Sequence, residues 1–354
     1  MISAQLLAWF RVNKRPLPWR ESKTPYTIWI SEIMLQQTRV NQVIKFYLCF
    51  MEKFPDIKSL AAASEQEVLK YWQGLGYYSR GRNIHKAAIQ INTLYNNQFP
   101  TQYESIKKLP GVGPYTAGAI ASIAFHSPVV AIDGNVLRVI SRLFAVNTAI
   151  NTSEGKKIIT GIVEDILPKK QPGDFNQALM ELGALVCKPK NPDCDSCPLK
   201  NYCIAFQQGI QYQLPKKISN KKNHLRYFNY IVIRNPLNKT SYIHYRENSN
   251  DIWFHLFEFP MVEDDHLYDP DEICSHLLNH WSLNSGQFVL TNISADFRHQ
   301  LSHQTIYARF FTLEIALPLN NLPDTIQAVR NKDINKYPFY VLISKYLEFT
   351  HSKK

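Results

Sequence analysis

The chain has 354 residues, of which 45% are apolar and 12% aromatic, so the composition excludes a largely disordered protein and favours two folded domains. Its net charge of +11, from 40 basic and 29 acidic residues, suggests a polyanionic partner. No apolar run approaches the roughly 18 residues that span a bilayer, and residues 1–10 are typical of an amphipathic helix rather than a signal peptide. We therefore expect a cytoplasmic protein that makes no contact with a membrane.

The charge is unevenly distributed along the chain. Residues 1–212 contain 24 basic and 15 acidic residues, whereas residues 227–354 contain 11 basic and 14 acidic ones. Between them, residues 213–226 are polar, include a proline, and contain five basic and no acidic residues. This composition predicts a linker at 213–226 between a basic first domain, 1–212, and a second domain, 227–354.

The first domain has the pattern of a mainly helical fold. Apolar residues at helical spacing predict at least one long helix between Ile28 and Phe50, and a capping box at Ser64–Glu67 predicts a helix that continues through Tyr71. The second domain has strand-like segments rich in aromatic and β-branched residues, at 227–234, 241–246, 253–259, 288–293 and 305–316. Helices are predicted at 271–281 and near the C-terminus, which makes this domain α+β.

A glycine-rich turn at residues 109–117 lies between two predicted helices. Gly111 and Gly113 allow the backbone to approach a ligand closely, and the following helix begins with outward N–H groups, an arrangement that binds phosphate without reading base sequence. An ordinary helix–helix turn would have the same pattern. Downstream, Asp133 follows an apolar run and precedes a helix, where it needs no function beyond that of an N-cap.

Four cysteines fall within a short stretch, separated by six, two and five residues: Cys187, Cys194, Cys197 and Cys203. Four thiolates in one compact loop can enclose either a [4Fe–4S] cluster or one Zn²⁺. Zinc loops usually have two short Cys-x2-Cys pairs, and this loop has one, so the spacing favours iron–sulfur. The other cysteines, Cys49 and Cys274, stand alone, which is not the pattern of a disulfide framework.

Together, the hairpin, the aspartate and the cysteine loop resemble the helix-hairpin-helix DNA glycosylase superfamily over about residues 5–205. The resemblance implies a helix-hairpin-helix fold, one [4Fe–4S] cluster on the four cysteines, and double-stranded DNA as the partner. It further implies a monomer that acts at the bacterial nucleoid, and a monovalent cation at the hairpin.

Local features resemble the adenine DNA glycosylase branch of that superfamily. Residues 29–38, WISEIMLQQT, are similar to the signature of this branch and contain Glu32. Tyr115 occupies the hairpin position where the strand-cleaving branch has a lysine nucleophile, and a second domain follows the cysteine loop. The resemblance implies a monofunctional enzyme that releases adenine mispaired with 8-oxoguanine or guanine.

Cleavage of an N-glycosidic bond requires a proton on the departing base and stabilisation of the sugar cation, which two carboxyl groups in different protonation states can provide. We assign Glu32 as the general acid at adenine N7 and as the group that activates water. Asp133, at a helix N-terminus, is expected to stay ionised and either to stabilise the oxocarbenium ion or to attack it. Tyr115 and Asn135 are expected to hydrogen-bond within this site.

The resemblance also implies the residues that contact DNA. The target adenine must leave the duplex, and Trp19 and Arg20 would line its pocket with Gln177 opposite. Gln37, with Thr38 beside it, and Tyr77 would enter the base stack. Of the neighbours Tyr77 and Tyr78, one is expected to pack in the core.

The second domain resembles the Nudix-like domain that recognises 8-oxoguanine in this family. Residues 297–303, FRHQLSH, are similar to the F-x-H-x-F-S-H loop of the family, with Leu301 in place of phenylalanine, and this makes His299 and Ser302 candidate contacts to the oxidised base. Residues 251–256, DIWFHL, stand where relatives have G-L-W-G-G-L, so the local backbone is in doubt. The acidic R-E-x-x-E-E box of nucleotide hydrolases is missing from the sequence.

Two other functions compete with this interpretation. The first is a bifunctional pyrimidine-lesion glycosylase with lyase activity, which Tyr115 and Glu32 disfavour. The second is a non-catalytic iron–sulfur or zinc DNA-binding protein, which the presence of both carboxylates disfavours.

Overall fold

The computed structural model describes residues 2–218, 224–281, 286–319 and 322–351, so residues 219–223 of the predicted linker lie outside the described part. The chain forms two compact units. The first contains Met1–Ala63 and Ser79–Ser219, and the second contains Ser64–Tyr78 and Asn220–Lys354. Segment 64–78, which the sequence pattern places in the first domain, thus clusters with the second unit. Nowhere in the described ranges is a helix both long and apolar enough to cross a membrane.

The first unit is helical, and no strand occurs in its described residues, as predicted. Its helices are α1 (Ile2–Asn13), α2 (Pro25–Leu35), α3 (Val40–Lys53), α4 (Ile57–Ala62), α6 (Ser79–Leu94), α7 (Tyr103–Lys107), α8 (Pro114–Ala124), α9 (Gly134–Leu143), α10 (Ser153–Ile166), α11 (Pro172–Leu185) and α12 (Ile204–Gln207). Side chains from α1, α9, α10 and α11 share one apolar core, which includes Leu6, Ile140, Ile159 and Phe175. Burial of this surface fixes the helices that carry Asp133 and Gln177.

The prediction of at least one long helix between Ile28 and Phe50 is confirmed, but the segment forms two helices, α2 and α3, with a turn between them. The chain leaves α2 at Gln36, and Gln37 takes a left-handed conformation with φ 57°. Helical spacing continues across this turn because both helices bury an apolar face, so periodicity alone did not reveal the break.

The second unit begins with α5 (Glu65–Trp72), and the Ser64 hydroxyl caps it by accepting a hydrogen bond from Glu67 N at 3.2 Å. Two more helices follow far along the chain, α13 (Pro270–His280) and α14 (Val341–His351). The strands are β1 (His224–Asn235), β2 (Thr240–Tyr245), β3 (Phe257–Glu258), β4 (Met261–Asp264), β5 (Phe288–Ile293), β6 (Phe297–Gln300), β7 (Gln304–Ile315) and β8 (Ile326–Arg330).

These strands form one mixed sheet with the order β3-β2-β1-β7-β5, while β4 pairs with β1, β6 with β7 and β8 with β2. The long central strands β1 and β7 are parallel, and the other pairs are antiparallel. On one face, Ile273 and Leu277 of α13 pack against Ile231, Phe311 and Leu313. The α+β fold predicted for this domain is confirmed.

The strand predicted at 253–259 is wrong except for the two residues of β3. Trp253 and His255 adopt left-handed conformations, with φ of 61° and 64°, so the segment turns where the sequence suggested an extended chain. Of these two residues, His255 stands at a glycine of the G-L-W-G-G-L pattern that the segment was compared with, and glycine reaches such φ values without strain. The short strands β4, β6 and β8 were not predicted, because four or five residues give little alternation to detect, and β1 begins inside the predicted linker.

Candidate active site

The first unit contains a cleft of about 690 Å³ between α2, α8, α9 and α11. The structure brings together in this cleft most of the residues predicted for base release: Trp19, Arg20, Glu32, Gln37, Thr38, Tyr115, Asp133, Asn135 and Gln177. They come from five separate segments of the chain. Gln177 Nε2 donates a 3.4 Å hydrogen bond to Gly173 O of the same helix. The rings of Trp19 and Tyr47 are in a T-shaped arrangement, with their centroids 5.4 Å apart.

Glu32 is a buried acid. It lies on α2, where nine successive residues are buried, and it is 8% exposed. Burial is the main cause that raises the pKa of Glu32, and the charge of Asp133 also raises it. The hydrogen bond from the Tyr115 hydroxyl and the charge of Arg20 lower it, and the net result is a pKa of about 7. A carboxyl group with this pKa exists in both protonation states near neutral pH.

Asp133 faces the same cleft and caps α9. Its Oδ1 accepts a hydrogen bond from Val136 N and its Oδ2 one from Asn135 Nδ2, both at 2.7 Å. Burial nevertheless raises the pKa of Asp133, and these hydrogen bonds reduce the increase. Burial therefore acts against the ionised form that was expected for Asp133, and the hydrogen bonds at the helix terminus only partly offset it.

Arg138 links this aspartate to the cysteine loop, a role that the sequence did not reveal. Its Nη2 donates to Asn135 Oδ1 and to Gly183 O, both at 2.8 Å, and its Nε donates to Cys187 O, also at 2.8 Å. Asn135 in turn packs against α11, where a Cβ on Gly183 would lie 2.6 Å from Asn135 Cβ. The side chain that holds Asp133 is thus itself fixed from two directions.

Glu181 is a second cleft residue that the sequence analysis missed. Its carboxylate accepts hydrogen bonds from Arg15 Nη2 at 2.7 Å and from Arg20 Nη2 at 3.0 Å. Burial acts to raise its pKa, but the two guanidinium groups outweigh that effect and lower the pKa of Glu181 to about 2. The predicted pocket residue Arg20 is therefore held by a permanently ionised partner.

Arg80 holds the turn after α2. Its Nη1 donates to the carbonyls of Ile33, Met34 and Gln36 at 2.7–2.9 Å, and its Nη2 donates to Thr38 Oγ1 at 3.2 Å. This buried guanidinium satisfies carbonyl groups at the end of α2, of which Ile33 O also accepts a 3.3 Å hydrogen bond from Gln36 N. It fixes the turn in which Gln37 has its left-handed conformation.

The two hairpin glycines have different structural roles. Gly111 has φ 74°, and a Cβ there would lie 2.6 Å from Asn83 Cβ. Gly113 is the N-cap of α8 in extended conformation, and a Cβ there would have no heavy atom within 4 Å. Gly111 therefore shapes the turn, whereas Gly113 leaves open space in front of the helix N-terminus.

The candidate contacts to the opposite base lie in the second unit. Tyr77, 45% exposed with φ 49°, shares a 2.7 Å hydrogen bond with Ser302 Oγ, whereas Tyr78 is buried. His299 lies on β6 with its ring 5.7 Å from that of Trp253, and burial lowers the pKa of His299, with Lys345 adding to the effect. The structure thus brings Tyr77 and Ser302 together directly and places His299 beside Trp253.

The four loop cysteines are free thiols that line one small cavity with Arg142, whose Nη1 lies 3.3 Å from Cys187 Sγ. Four sulfurs around one zinc ion would be about 3.8 Å apart, given a Zn–S bond of about 2.3 Å. In the described ranges, the only group of three or more ligand residues with atoms within 4.8 Å of one another is Asp264, Asp265 and His266. By this criterion no three of the four cysteine sulfurs lie within 4.8 Å of one another, which is a wider spacing than a zinc site requires.

Comparison with protein families gives two matches. Residues 30–165 match the model of the HhH-GPD superfamily base excision DNA repair protein, and residues 187–203 match the iron–sulfur binding domain of endonuclease III. The first match spans Glu32, the hairpin and Asp133, and the second begins and ends on the outer cysteines of the loop. The loop is thus an iron–sulfur site, and the helix-hairpin-helix fold predicted for the first domain is confirmed.

Curated relatives extend the similarity over most of the chain. The adenine DNA glycosylase of Buchnera aphidicola subsp. Baizongia pistaciae is 37% identical over 303 residues, which are 85% of this chain and 83% of the relative. The human adenine DNA glycosylase is 43% identical over 218 residues, 59% of this chain and 40% of the relative.

Solved structures match the first unit most clearly. A thermostable thymine-DNA glycosylase aligns with a TM-score of 0.54 and 28% identity, over 58% of this chain and 95% of that structure. A non-covalent endonuclease III–DNA complex aligns with a TM-score of 0.51 and 25% identity, over 59% and 95%.

Proposed function

Because this chain belongs to the adenine DNA glycosylase family of base excision repair, we propose that it removes adenine mispaired with 8-oxoguanine or guanine. It is a DNA-binding N-glycosyl hydrolase with an iron–sulfur site. The observation that carries the proposed chemistry is the pair of carboxyl groups, buried Glu32 and half-buried Asp133, which face one cleft with different hydrogen-bond partners.

Glu32 supplies the proton. Its pKa of about 7 keeps a large protonated fraction near neutral pH, and protonation of adenine N7 weakens the bond to the sugar by making the base a neutral leaving group. After the bond breaks, the ionised Glu32 accepts a proton from the attacking water. The Tyr115 hydroxyl holds the carboxyl group in position.

Asp133 supplies the negative charge. An N–H from Val136 and one from Asn135 stabilise its ionised form, whereas Glu32 accepts from a hydroxyl, so the first proton shared by the pair resides on Glu32. The Asp133 carboxylate stabilises the oxocarbenium ion or forms a transient bond to its anomeric carbon. The other face of the sugar is then left for water.

The enzyme is proposed to be monofunctional. Strand cleavage by this class of site requires an amine that forms a Schiff base with the abasic sugar, and the side chain at the corresponding hairpin position is the phenol of Tyr115. The Tyr115 hydroxyl donates a hydrogen bond to the Glu32 carboxyl group, and Met180 Sδ lies 3.5 Å from the same hydroxyl oxygen. We expect abasic DNA to be the product.

The iron–sulfur group is proposed to be one [4Fe–4S] cluster on Cys187, Cys194, Cys197 and Cys203. The wide spacing of the sulfurs supports this cluster type over a single ion. Its contribution is structural: when bound, it closes the loop whose carbonyls accept hydrogen bonds from Arg138 and Arg142. A monovalent cation at the hairpin stays a prediction, as does the monomeric state.

Recognition is proposed to use both units. In the first, Trp19, Arg20 and Gln177 contact the extruded adenine, Gly111 and Gly113 bring the backbone to a phosphate, and Gln37 with Thr38 enters the base stack. In the second, Tyr77 enters the base stack, and His299 and Ser302 contact the opposite base. The exposure of Tyr77 and its bond to Ser302 support this division.

Single-turnover cleavage of a duplex with one adenine:8-oxoguanine pair tests the proposal, with and without alkali and beside Glu32→Gln. The expected result is adenine release, strand breaks only after alkali, and loss of release in the variant. Strand breaks without alkali would support a lyase instead. Tight binding without release by the wild-type protein would support a non-catalytic DNA-binding protein.

A further inference from the structure

The first part of the predicted linker is anchored on the first unit. Leu214 is buried, and its carbonyl accepts a 3.0 Å hydrogen bond from Arg142 Nε. Ile150 N donates to Lys216 O at 3.0 Å, and the Asn151 side chain exchanges two hydrogen bonds with the backbone of Ile218, at 2.8 and 3.0 Å. Lys217 lies between these anchored residues, so its backbone position is fixed from both sides.

Lys217 lines the same cleft as Glu32 and Asp133, a position that neither its place in the sequence nor the similarity to known families indicates. The other basic residues around the cleft have partners. Arg15 and Arg20 pair with Glu181, Lys23 Nζ lies 3.8 Å from Asp174 Oδ1, and Arg138 is held by Asn135 and three backbone carbonyls. Within the described part of the chain, Lys217 has no ion-pair or hydrogen-bond partner for its ammonium group.

The negative charge of the cleft explains why the Lys217 ammonium group would affect DNA binding. Glu32, Asp133 and Glu181 place three carboxyl groups around it, and at least Glu181 is ionised at all working pH values. A DNA phosphate that enters with an extruded nucleotide is repelled by such charges unless a cation compensates for them. Lys217 is the cleft cation that is not already neutralised or fully hydrogen-bonded inside the protein.

We propose that Lys217 binds the phosphate of the extruded adenosine nucleotide, so that the linker contributes directly to the substrate site. The inference rests on the proposed excision of an extruded adenine. The ligand is a phosphodiester oxygen, and the contact forms only when the nucleotide has left the duplex. Lys217 therefore adds affinity for the mispaired duplex and adds none for ordinary paired DNA.

The test measures how salt affects DNA binding by the full chain with its cluster. The mispaired probe contains 2′-fluoro-2′-deoxyadenosine opposite 8-oxoguanine, because the fluorine disfavours charge on the sugar and prevents cleavage. The control duplex has the same sequence with thymine opposite adenine. Dissociation constants are measured over a series of KCl concentrations for the wild type, Lys217→Gln, Lys217→Arg and the matched neighbour Lys216→Gln.

For Lys217→Gln, we expect the slope of log Kd against log salt to fall by about 0.9 on the mispaired probe, with about a threefold to tenfold loss of affinity. On the paired duplex the variant should match the wild type. Lys217→Arg should retain the contact, and Lys216→Gln should not discriminate between the duplexes. Equal effects of Lys217→Gln on both duplexes, or none on either, would overturn the inference.

Adenine release by the wild type from the unmodified mispair is measured in parallel. Release together with unaltered binding by Lys217→Gln rejects the role of Lys217 and leaves the proposed function intact. The absence of release by the wild type rejects the proposed function itself.

Discussion

The phenol of Tyr77 and the hydroxyl of Ser302 share a hydrogen bond of 2.7 Å although 225 residues separate them along the chain. Tyr77 follows α5 and Ser302 follows β6, and both belong to the second unit. The bond orients a largely exposed aromatic ring toward a candidate contact to the opposite base. The bond therefore connects Tyr77, which is proposed to enter the base stack, with Ser302, which is proposed to contact 8-oxoguanine.

Tyr77→Phe retains the ring and removes this bond. A hydrogen bond of this kind contributes about 1 kcal/mol, so we expect about a fivefold decrease in the preference for 8-oxoguanine over guanine opposite adenine. Single-turnover rates on the two mispairs measure the preference. Tyr78→Phe is the matched control, because Tyr78 is buried and its hydroxyl bonds to Phe339 O; it should alter stability and not preference. An unchanged ratio in Tyr77→Phe would contradict the assignment.

From the raised pKa of Glu32 we predict how the rate of base release depends on pH. Since its pKa is about 7 and the acid must be protonated, the single-turnover rate should fall about tenfold per pH unit above that value. Rates measured across this range on the 8-oxoguanine mispair give the profile. A rate that instead rises through pH 7 would show that Glu32 acts only in its ionised form, and a flat profile would contradict an essential group with a pKa near 7.

The raised pKa of Glu32 also makes the stability of the folded protein depend on pH. Its folded pKa lies above the unfolded value, so the wild type loses stability as pH rises from about 4.5 through 7, by about 3 kcal/mol in all. Glu32→Gln avoids this cost and should be the more stable protein above pH 7, with the advantage vanishing near pH 5. Urea unfolding at both pH values tests this.

From the lowered pKa of Glu181 we predict the opposite dependence of stability on pH. Its folded pKa of about 2 lies below the unfolded value, so its stabilising effect is present above about pH 4.5 and is lost as pH falls toward 2. Glu181→Gln leaves Arg15 and Arg20 without their counter-ion and should cost about 3 kcal/mol at neutral pH. Urea unfolding of both proteins at pH 7 and pH 3 measures the difference, which should shrink in acid. Equal free energies of unfolding for the wild type and Glu181→Gln at pH 7 would mean that the ion pairs make no net contribution to stability.

The hairpin glycines allow a matched comparison. Gly111→Ala forces a side chain into a left-handed conformation against Asn83 and should destabilise the protein by about 1–3 kcal/mol. Gly113→Ala meets no protein atom, so stability should be preserved while the methyl group obstructs a phosphate at the start of α8. Thermal unfolding and DNA affinity separate the two effects. Full DNA affinity in a well-folded Gly113→Ala would argue against phosphate binding at this turn.

Arg80 is predicted to position Gln37. Arg80→Lys retains the charge but cannot donate to three carbonyls at once, so the turn after α2 should lose its fixed geometry. We expect base release to slow by about tenfold. Fluorescence of 2-aminopurine beside the target adenine should report less extrusion. Binding to paired DNA is the control and should remain unchanged; normal extrusion with slow release would instead place the defect at Glu32, on the same helix.

The sequence by itself determined the features that short-range patterns encode. Apolar spacing and turn residues indicated that the first unit is helical, and the spacing of the cysteines indicated the iron–sulfur loop. These two predictions are confirmed because each depends on neighbours within a turn or a loop. The roles of Glu32 and Asp133, which rest on the resemblance to the family, stay predictions. The break after α2 and the turn at Trp253 escaped detection because periodicity continues across the first and aromatic residues fill the second.

Only the tertiary structure decided which distant residues meet. Glu181 lies 166 residues from Arg15, and nothing local to either indicates the pair. The grouping of segment 64–78 with the second unit, the bond between Tyr77 and Ser302, and the position of Lys217 in the cleft also depend on long-range packing. The pKa of Glu32 belongs to this class as well, because a glutamate becomes an acid near neutral pH only when the folded chain removes water from around it.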